Sequence, residues 1–340
     1  GHDSFPVDQV RPYLKPYEDR FGLPVEQILG WGQPEGAGPD ANFSMFVLGL
    51  RSAQYINGVS KLHGEVARKM WDHVWPNRTG SDVPISHVTN GVHIGSFVSP
   101  EVAHMFERYL GPEWHEGSLR SENIARIGAI YDEELWRAHE LSRSRLIRSV
   151  RKLMIRQYSR RNAPSSTMRE LETVLDQDAL TVGFARRFAT YKRANLLLRD
   201  PDRLAAILES KNKPVQFVFA GKAHPRDNEG KALIQNLIQF ARRTKMRHKM
   251  VFVEDYDMSI ARLLVQGVDV WLNNPRRPME ACGTSGMKAA VNGVLNLSVL
   301  DGWWCEGYTP ERGWAIGNGE EFEDPEYQDS VESQALYNLL

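Results

Sequence analysis

A carboxylate, a glycine-rich turn and a lysine follow one another in Pro278-Met279-Glu280-Ala281-Cys282-Gly283-Thr284-Ser285-Gly286-Met287-Lys288. The preceding residues 267–272 are apolar enough for a buried strand, and residues 287–291 have the small and apolar side chains of a helix that Lys288 would open. In that order, the first N–H groups of the helix lack partners within it and aim at whatever rests on the turn, which favours an anion. A phosphate held beside a reactive amine is the chemistry on offer. Neither common phosphate loop fits. A Walker loop needs four residues between its glycines and Ser or Thr after the lysine, whereas Gly283 and Gly286 are closer together and Ala289 follows Lys288. Nor does G-x-G-x-x-G occur, since Gly30, Gly32 and Gly36 are mis-spaced. What survives is a cofactor that carries both a phosphate and an aldehyde able to condense with Lys288, which describes pyridoxal 5'-phosphate. The plain alternative is a helix start without a ligand.

A second cluster supports the cofactor. The strand-like Leu180-Thr181-Val182-Gly183-Phe184-Ala185 runs into Arg186-Arg187-Phe188-Ala189-Thr190-Tyr191-Lys192-Arg193, which sets four cations at the C-terminal end of a strand. Ligands of open α/β sheets bind at that edge. A solvated charge run is the competing explanation, and it accounts poorly for cations that directly follow a buried strand.

These two clusters resemble the α-glucan (glycogen, starch or maltodextrin) phosphorylases, whose motifs include Lys/Arg-Arg-x-x-x-Tyr-Lys-Arg and Glu-x-x-Gly-Thr-x-x-Met-Lys. Other segments agree in order: Phe217-Val218-Phe219-Ala220-Gly221-Lys222-Ala223, Val251-Phe252-Val253-Glu254-Asp255-Tyr256 and Leu300-Asp301-Gly302. Upstream, Asn57-Gly58-Val59 is similar to the family's Val-Asn-Gly-Val helix and Thr89-Asn90-Gly91-Val92 to its Thr-Asn-Gly turn. The resemblance spans roughly residues 40–310. Departures are small, with Arg186 where many members have Lys, Cys282 where others have Ser, and Ser285-Gly286 where others have Gly-Asn.

By this resemblance, Lys288 carries pyridoxal 5'-phosphate as a Schiff base, and the backbone of Gly283, Thr284 and Ser285 holds its phosphate with Arg186 and Tyr256. Arg187 and Lys192 bind the substrate phosphate, with Lys192 near both anions. Glu280 meets a glucose hydroxyl and Asn57 the 6-hydroxyl. The implied catalytic set is therefore Lys288, Arg187, Lys192 and Glu280, with no metal. The implied reaction is reversible phosphorolysis of terminal α-1,4-glucosidic bonds by inorganic phosphate, releasing α-D-glucose 1-phosphate with retention. Electrostatics explains the cations. In the family the cofactor phosphate is the acid/base partner of the substrate phosphate, so two groups of about −1.5 to −2 charge lie close together. At ~5 Å and an effective dielectric of ~20 their repulsion is on the order of 10 kcal/mol. Arg186, Arg187, Lys192 and the helix start would offset it.

The coarse pattern after residue 178 alternates strands (residues 181–185, 215–220, 250–254, 268–272 and 294–299) with helices after Lys192 and from about Asn228, Ser259 and Lys288. Spacings of roughly 30 residues predict β-α-β units in a parallel sheet. The fold class is α/β, and the resemblance implies the glycosyltransferase type B architecture of two Rossmann-like domains. Residues 1–56 would be the remainder of the first and residues 57–340 the incomplete, cofactor-binding second. The chain opens at Gly1-His2-Asp3 without Met and ends at Leu340 in a helical pattern, so it reads as partial. Half of the family's cleft would precede Gly1, and the isolated 340 residues are expected to lack turnover.

Composition narrows the remaining classes. A net charge of −1 argues against nucleic acid or an anionic membrane as the main partner. No apolar run reaches the ~18 residues of a membrane helix and no signal peptide pattern opens the chain, which fits a cytoplasmic enzyme. The two cysteines, Cys282 and Cys305, lack metal-ligand spacing. Residues 143–161 are rich in arginine, but Leu146, Val150 and Leu153 recur at helical spacing, so the arginines are expected on a solvated outer face. His63 and His87 read as packing or surface residues, and most of the nine tryptophans as core. Two other functions remain open: a nucleotide-sugar-dependent transferase like the glycogen and starch synthases, which shares the Glu and glycine turn, and a non-catalytic glucan-binding protein. Self-association is also open.

Overall fold

The computed structural model of the chain describes residues 3–38, 40–115, 125–244 and 246–340. Gly1 and His2 of the opening tripeptide lie outside them. Two compact units result, Gly1–Asn90 and Gly91–Leu340, so the spatial division falls after Asn90, whereas the family resemblance implies one after residue 56.

The first unit is mostly helical, with helices at Val7–Leu14, Val25–Gly30, Met45–Ser52 and Lys61–Trp71. Ser44 and Ser60 start the last two by accepting the N–H of Val47 at 3.3 Å and of His63 at 3.1 Å, which satisfies donors the helix itself cannot. Asn57 is not helical. Asn57–Gly58 pairs in parallel with Ser86–His87 as a two-residue strand, and the helix begins only at Lys61. His63 accepts the N–H of Val59 through Nδ1 at 3.1 Å, and its burial lowers the imidazole pKa, as a packing histidine should.

The second unit is built on six parallel strands: β1 (Leu180–Phe188), β2 (Val215–Ala223), β3 (Met250–Val253), β4 (Val270–Asn273), β5 (Leu295–Val299) and β6 (Gly313–Ile316). Their order across the sheet is β6-β5-β4-β1-β2-β3, so neighbours run outward from β1 in one direction and from β4 in the other. This is the Rossmann-like order, and its switch point lies between β1 and β4. The parallel sheet and five of its strands follow the pattern read from the sequence; β6, four residues between glycine-rich segments, was too short to stand out.

Helices cover both faces: α1 (Pro100–Leu110), α2 (Asp132–Ser159), α3 (Pro201–Glu209), α4 (Asn228–Arg243), α5 (Met258–Gly267), α6 (Thr284–Ala290) and α7 (Pro325–Leu339). Alternation along the strands sorts the core. Val182, Phe184, Phe217 and Phe219 pack with Leu204, Leu208, Leu233 and Leu237 of α3 and α4, while Ala185, Val218, Ala220 and Trp271 pack with Leu146, Ile147, Leu264 and Ala289 of α2, α5 and α6. Each such fully buried large side chain contributes about 1.5–3 kcal/mol. Asp200, Asp227 and Asp257 cap α3, α4 and α5, accepting N–H groups of Arg203, Gly230 and Ile260.

The arginines of α2 are divided: Arg148 and Arg156 lie on the expected solvated face, whereas three others turn inward. Arg143 is buried and pairs with Asp269 at 2.8 Å, Arg145 with Glu101 at 2.7 Å, and Arg151 donates to the carbonyls of Val174 and Leu175. Asp269 also accepts from His139 at 2.5 Å and from the Thr181 N–H at 2.7 Å, which ties α2 to the start of β1. A 28-residue helix lying across a sheet brings some of its cations within reach of acceptors on neighbouring elements and leaves the others in water.

Candidate active site

Alternation at the end of β1 separates the first two cations. Arg186 shares a face with Phe184, with its guanidinium 5.8 Å from that ring centre, and is buried; Arg187 takes the other face and is exposed. Opposite Arg186 stands Gly221 of β2, where an added Cβ would sit 2.1 Å from the Arg186 carbonyl oxygen, so only glycine lets the two strands pair there. After β1, a single turn at Thr190–Lys192 swings Lys192 back towards the switch point.

Glu280, on the loop that follows β4, receives both cations. Arg186 Nη2 donates to its Oε2 at 2.7 Å, and Lys192 Nζ lies 2.9 Å from Oε2 and 3.2 Å from Oε1. Burial works against ionisation of Glu280, but Arg186 and then Lys192 more than offset it and hold the carboxyl below the usual range. Tyr256, on the loop after β3, is half-buried and within electrostatic reach of Arg186; burial raises its phenol pKa, so it stays protonated and able to donate. Arg193, the fourth cation, is spent on the fold. It donates to the carbonyls of Asn274 and Pro275 at 2.9 and 2.8 Å and pairs with Asp329 and Glu332 of α7.

The glycine turn reaches Gly283 in the left-handed region at φ 82°, and α6 then starts at Thr284. Lys288 therefore sits one turn inside α6 and does not open it. Its ammonium stands 4.5 Å from the centre of the Phe97 ring. The Ser285 hydroxyl accepts from Trp271 Nε1 at 3.2 Å, and the first N–H groups of a helix such as α6 have no carbonyl partner within it. Asp301 locks the loop below: its carboxylate accepts the Glu280 N–H at 2.9 Å and the Gly302 N–H at 2.8 Å, and burial pushes its pKa up to about 7.

The structure thus brings Arg186, Lys192 and Glu280 into one ion-paired cluster, with Tyr256 near it. Arg187 stays exposed, and its side chain has no hydrogen bond or ion pair among the described residues. Gly283, Thr284, Ser285 and Lys288 form the adjoining turn and helix. Asn57 belongs to the first unit, where it is exposed and donates to the Gly58 carbonyl at 3.0 Å. Sequence reasoning gave no role to Asp301, Asn273 or Phe97. A carboxylate directly after an apolar strand was the available signal for Asp301; nothing local marked the other two.

The residues present fit a doubly phosphorylated site. Arg186, Arg187, Lys192 and Lys288 outnumber the carboxyl groups of Glu280 and Asp301, and Arg186 Nη1 is a buried donor without a partner. The carbohydrate phosphorylase family profile matches residues 37–307. The chain is 42% identical over 341 residues to the maltodextrin phosphorylase of Thermococcus litoralis, covering 100% of this chain and 40% of that one. It is 43% identical over 347 residues to the glycogen phosphorylase of Mycobacterium tuberculosis, covering 100% of this chain and 39% of the relative. For the glycogen phosphorylase of Aquifex aeolicus the identity is 41% over 339 residues, or 99% of this chain and 48% of the relative. The chain spans less than half the length of each of these relatives. Among the described residues, no helix is long and apolar enough to cross a membrane.

Proposed function

Because this chain belongs to the carbohydrate phosphorylase family, we propose that the protein is an α-glucan phosphorylase that cleaves terminal α-1,4-glucosidic bonds with inorganic phosphate and releases α-D-glucose 1-phosphate with retention. The observation that carries this reading is the Arg186–Glu280–Lys192 cluster at the switch point of the sheet, beside a glycine turn that leads into Lys288. A cytoplasmic glycosyltransferase type B enzyme is part of the same proposal, with residues 57–340 as its second domain and residues 1–56 as the end of the first.

In this reading pyridoxal 5'-phosphate is held through Lys288 Nζ, with its phosphate on the N–H groups of Gly283, Thr284 and Ser285 and near Arg186, Lys192 and Tyr256. When bound, it supplies a phosphate able to exchange a proton with the substrate phosphate. The protein's own residues do the rest by electrostatics. Arg187 and Lys192 draw in the substrate phosphate and neutralise the charge that accumulates there. Substrate phosphate competes with the Glu280 carboxylate for Lys192, and a carboxylate released in this way is free to accept a sugar hydroxyl. Before substrate arrives Glu280 is ionised, since Arg186 and Lys192 hold its pKa down.

Two measurements test this. Incubation with maltodextrin and phosphate should yield glucose 1-phosphate, and its absence from an intact, cofactor-loaded preparation refutes the activity. Borohydride reduction should trap a pyridoxyl adduct that Lys288→Ala abolishes; an adduct that persists puts the anchor elsewhere. No observation favours the nucleotide-sugar transferase or the non-catalytic glucan-binding reading.

A further inference from the structure

Six buried side-chain polar atoms among the described residues have no hydrogen-bond partner, and five of them belong to Arg186, Asn273, Asn274, Arg276 and Arg277. All five residues lie where β1 and β4 end or in the loop that follows β4. Buried polar atoms are rarely left unpaired, so such a concentration at one sheet edge is the mark of a ligand site. The three arginines each have other atoms engaged, with Glu280, Asp329 and the Leu300 carbonyl. The acceptors are more telling, because protein cations cannot satisfy each other but a ligand hydroxyl can satisfy an amide oxygen.

Asn273 is the better placed of the two. Its side chain is 4% exposed and its orientation is determined by neighbours. The Ser298 hydroxyl donates to the Val299 carbonyl at 2.9 Å, so it must accept from Asn273, and the amide nitrogen at 3.1 Å is the atom that faces it. Oδ1 is thereby directed away from Ser298, with no partner. The same amide borders the glycine turn. A Cβ placed on Gly283 would lie 3.7 Å from Asn273 Nδ2, 3.4 Å from Glu280 Cγ and 3.5 Å from Trp303 Cδ1. An amide, a carboxylate stem and an indole edge around one bare α-carbon are the groups that recognise a sugar, two for hydroxyls and one for its C–H face.

We propose that Asn273 contacts the transferred sugar, with its Oδ1 accepting a hydrogen bond from a hydroxyl of the glucosyl group that Glu280 also orients. This assignment rests on the phosphorylase reading and adds to it a specificity residue that neither sequence cluster contains. It requires that removal of Asn273 and removal of one particular hydroxyl act on the same bond.

Calorimetric titration of the cofactor-loaded protein with α-D-glucose 1-phosphate and its 2-, 3- and 6-deoxy analogues tests this. Asn273→Ala should weaken glucose 1-phosphate by about three- to tenfold, the size of one neutral hydrogen bond, yet weaken the analogue that lacks the partner hydroxyl by less than about twofold. Asn273→Asp keeps the size and an acceptor, so it should retain the discrimination among analogues, and it serves also if the alanine variant does not fold. Loss of the same factor for every analogue would assign Asn273 to the fold alone and overturn the proposal. So would unchanged binding in both variants while wild type binds normally. Wild type that binds neither glucose 1-phosphate nor maltoheptaose refutes the phosphorylase reading itself, and the Asn273 assignment falls with it.

Discussion

Asp301 should make the stability of the protein fall as pH rises from about 4 to about 7, and Asp301→Asn should remove that fall. Burial raises its carboxyl from 3.8 to about 7, with the Glu280 carboxylate adding to the rise and Arg277 and the N–H groups of Glu280 and Gly302 opposing it. A carboxyl that binds its proton more tightly in the folded state favours folding below its unfolded value, and the advantage drains away as pH climbs towards the folded one. The window therefore runs from about pH 4 to about pH 7. Three units at 1.36 kcal/mol each come to about 4 kcal/mol, a large part of the 5–15 kcal/mol that typical domains possess. Urea unfolding of wild type and Asp301→Asn should be measured at half-unit steps from pH 4.5 to 8. Other groups titrate in both proteins, so the informative quantity is the difference between the two curves. That difference should shift by about 3–4 kcal/mol, with wild type losing ground as pH rises. A difference that stays flat to within about 0.5 kcal/mol across the window would refute the argument, because it would mean that the buried carboxylate is solvated or compensated by a cation.

Glu280→Ala strips the buried Arg186 of its carboxylate and should cost about 3–5 kcal/mol in urea unfolding; a loss under about 1 kcal/mol would show that water reaches the cluster. Arg187→Ala should leave stability within about 0.5 kcal/mol, since the side chain is exposed. The same change should raise the apparent KM for phosphate far more than that for glucan, and equal losses for both would remove Arg187 from the phosphate site. Asp269→Ala takes the shared acceptor from Arg143, His139 and Thr181 and should destabilise by about 3–5 kcal/mol, read as a lowered urea midpoint, while pyridoxal phosphate binding at the far end of the strands is unchanged.

Much of the second unit was legible in the chain itself. Apolar runs a few residues long, separated by helical patterns, specify β1 to β5 and the helices between them, because burial on both faces of a parallel sheet demands such runs. The turn at Gly283 was equally legible, since a left-handed residue before a helix calls for glycine. The destinations of the charges were not. Arg186 and Arg187 are adjacent and chemically identical, yet one is buried against Glu280 and the other is in water, a choice made by the pleat of β1 and by Gly221 opposite. Arg193 lies beside Lys192 but is consumed by α7, whose acids are more than a hundred residues away in the chain. Arg145 and Arg151 of α2 found acceptors on α1, α5 and the loop before β1, and the Asn273 amide is oriented by Ser298 on the neighbouring strand. Local pattern governs which segments become strand or helix, because burial and backbone hydrogen bonding act within a few residues. The partner of a long polar side chain depends instead on which strand lies next in the sheet and in what register, and that is decided only when the whole domain has closed.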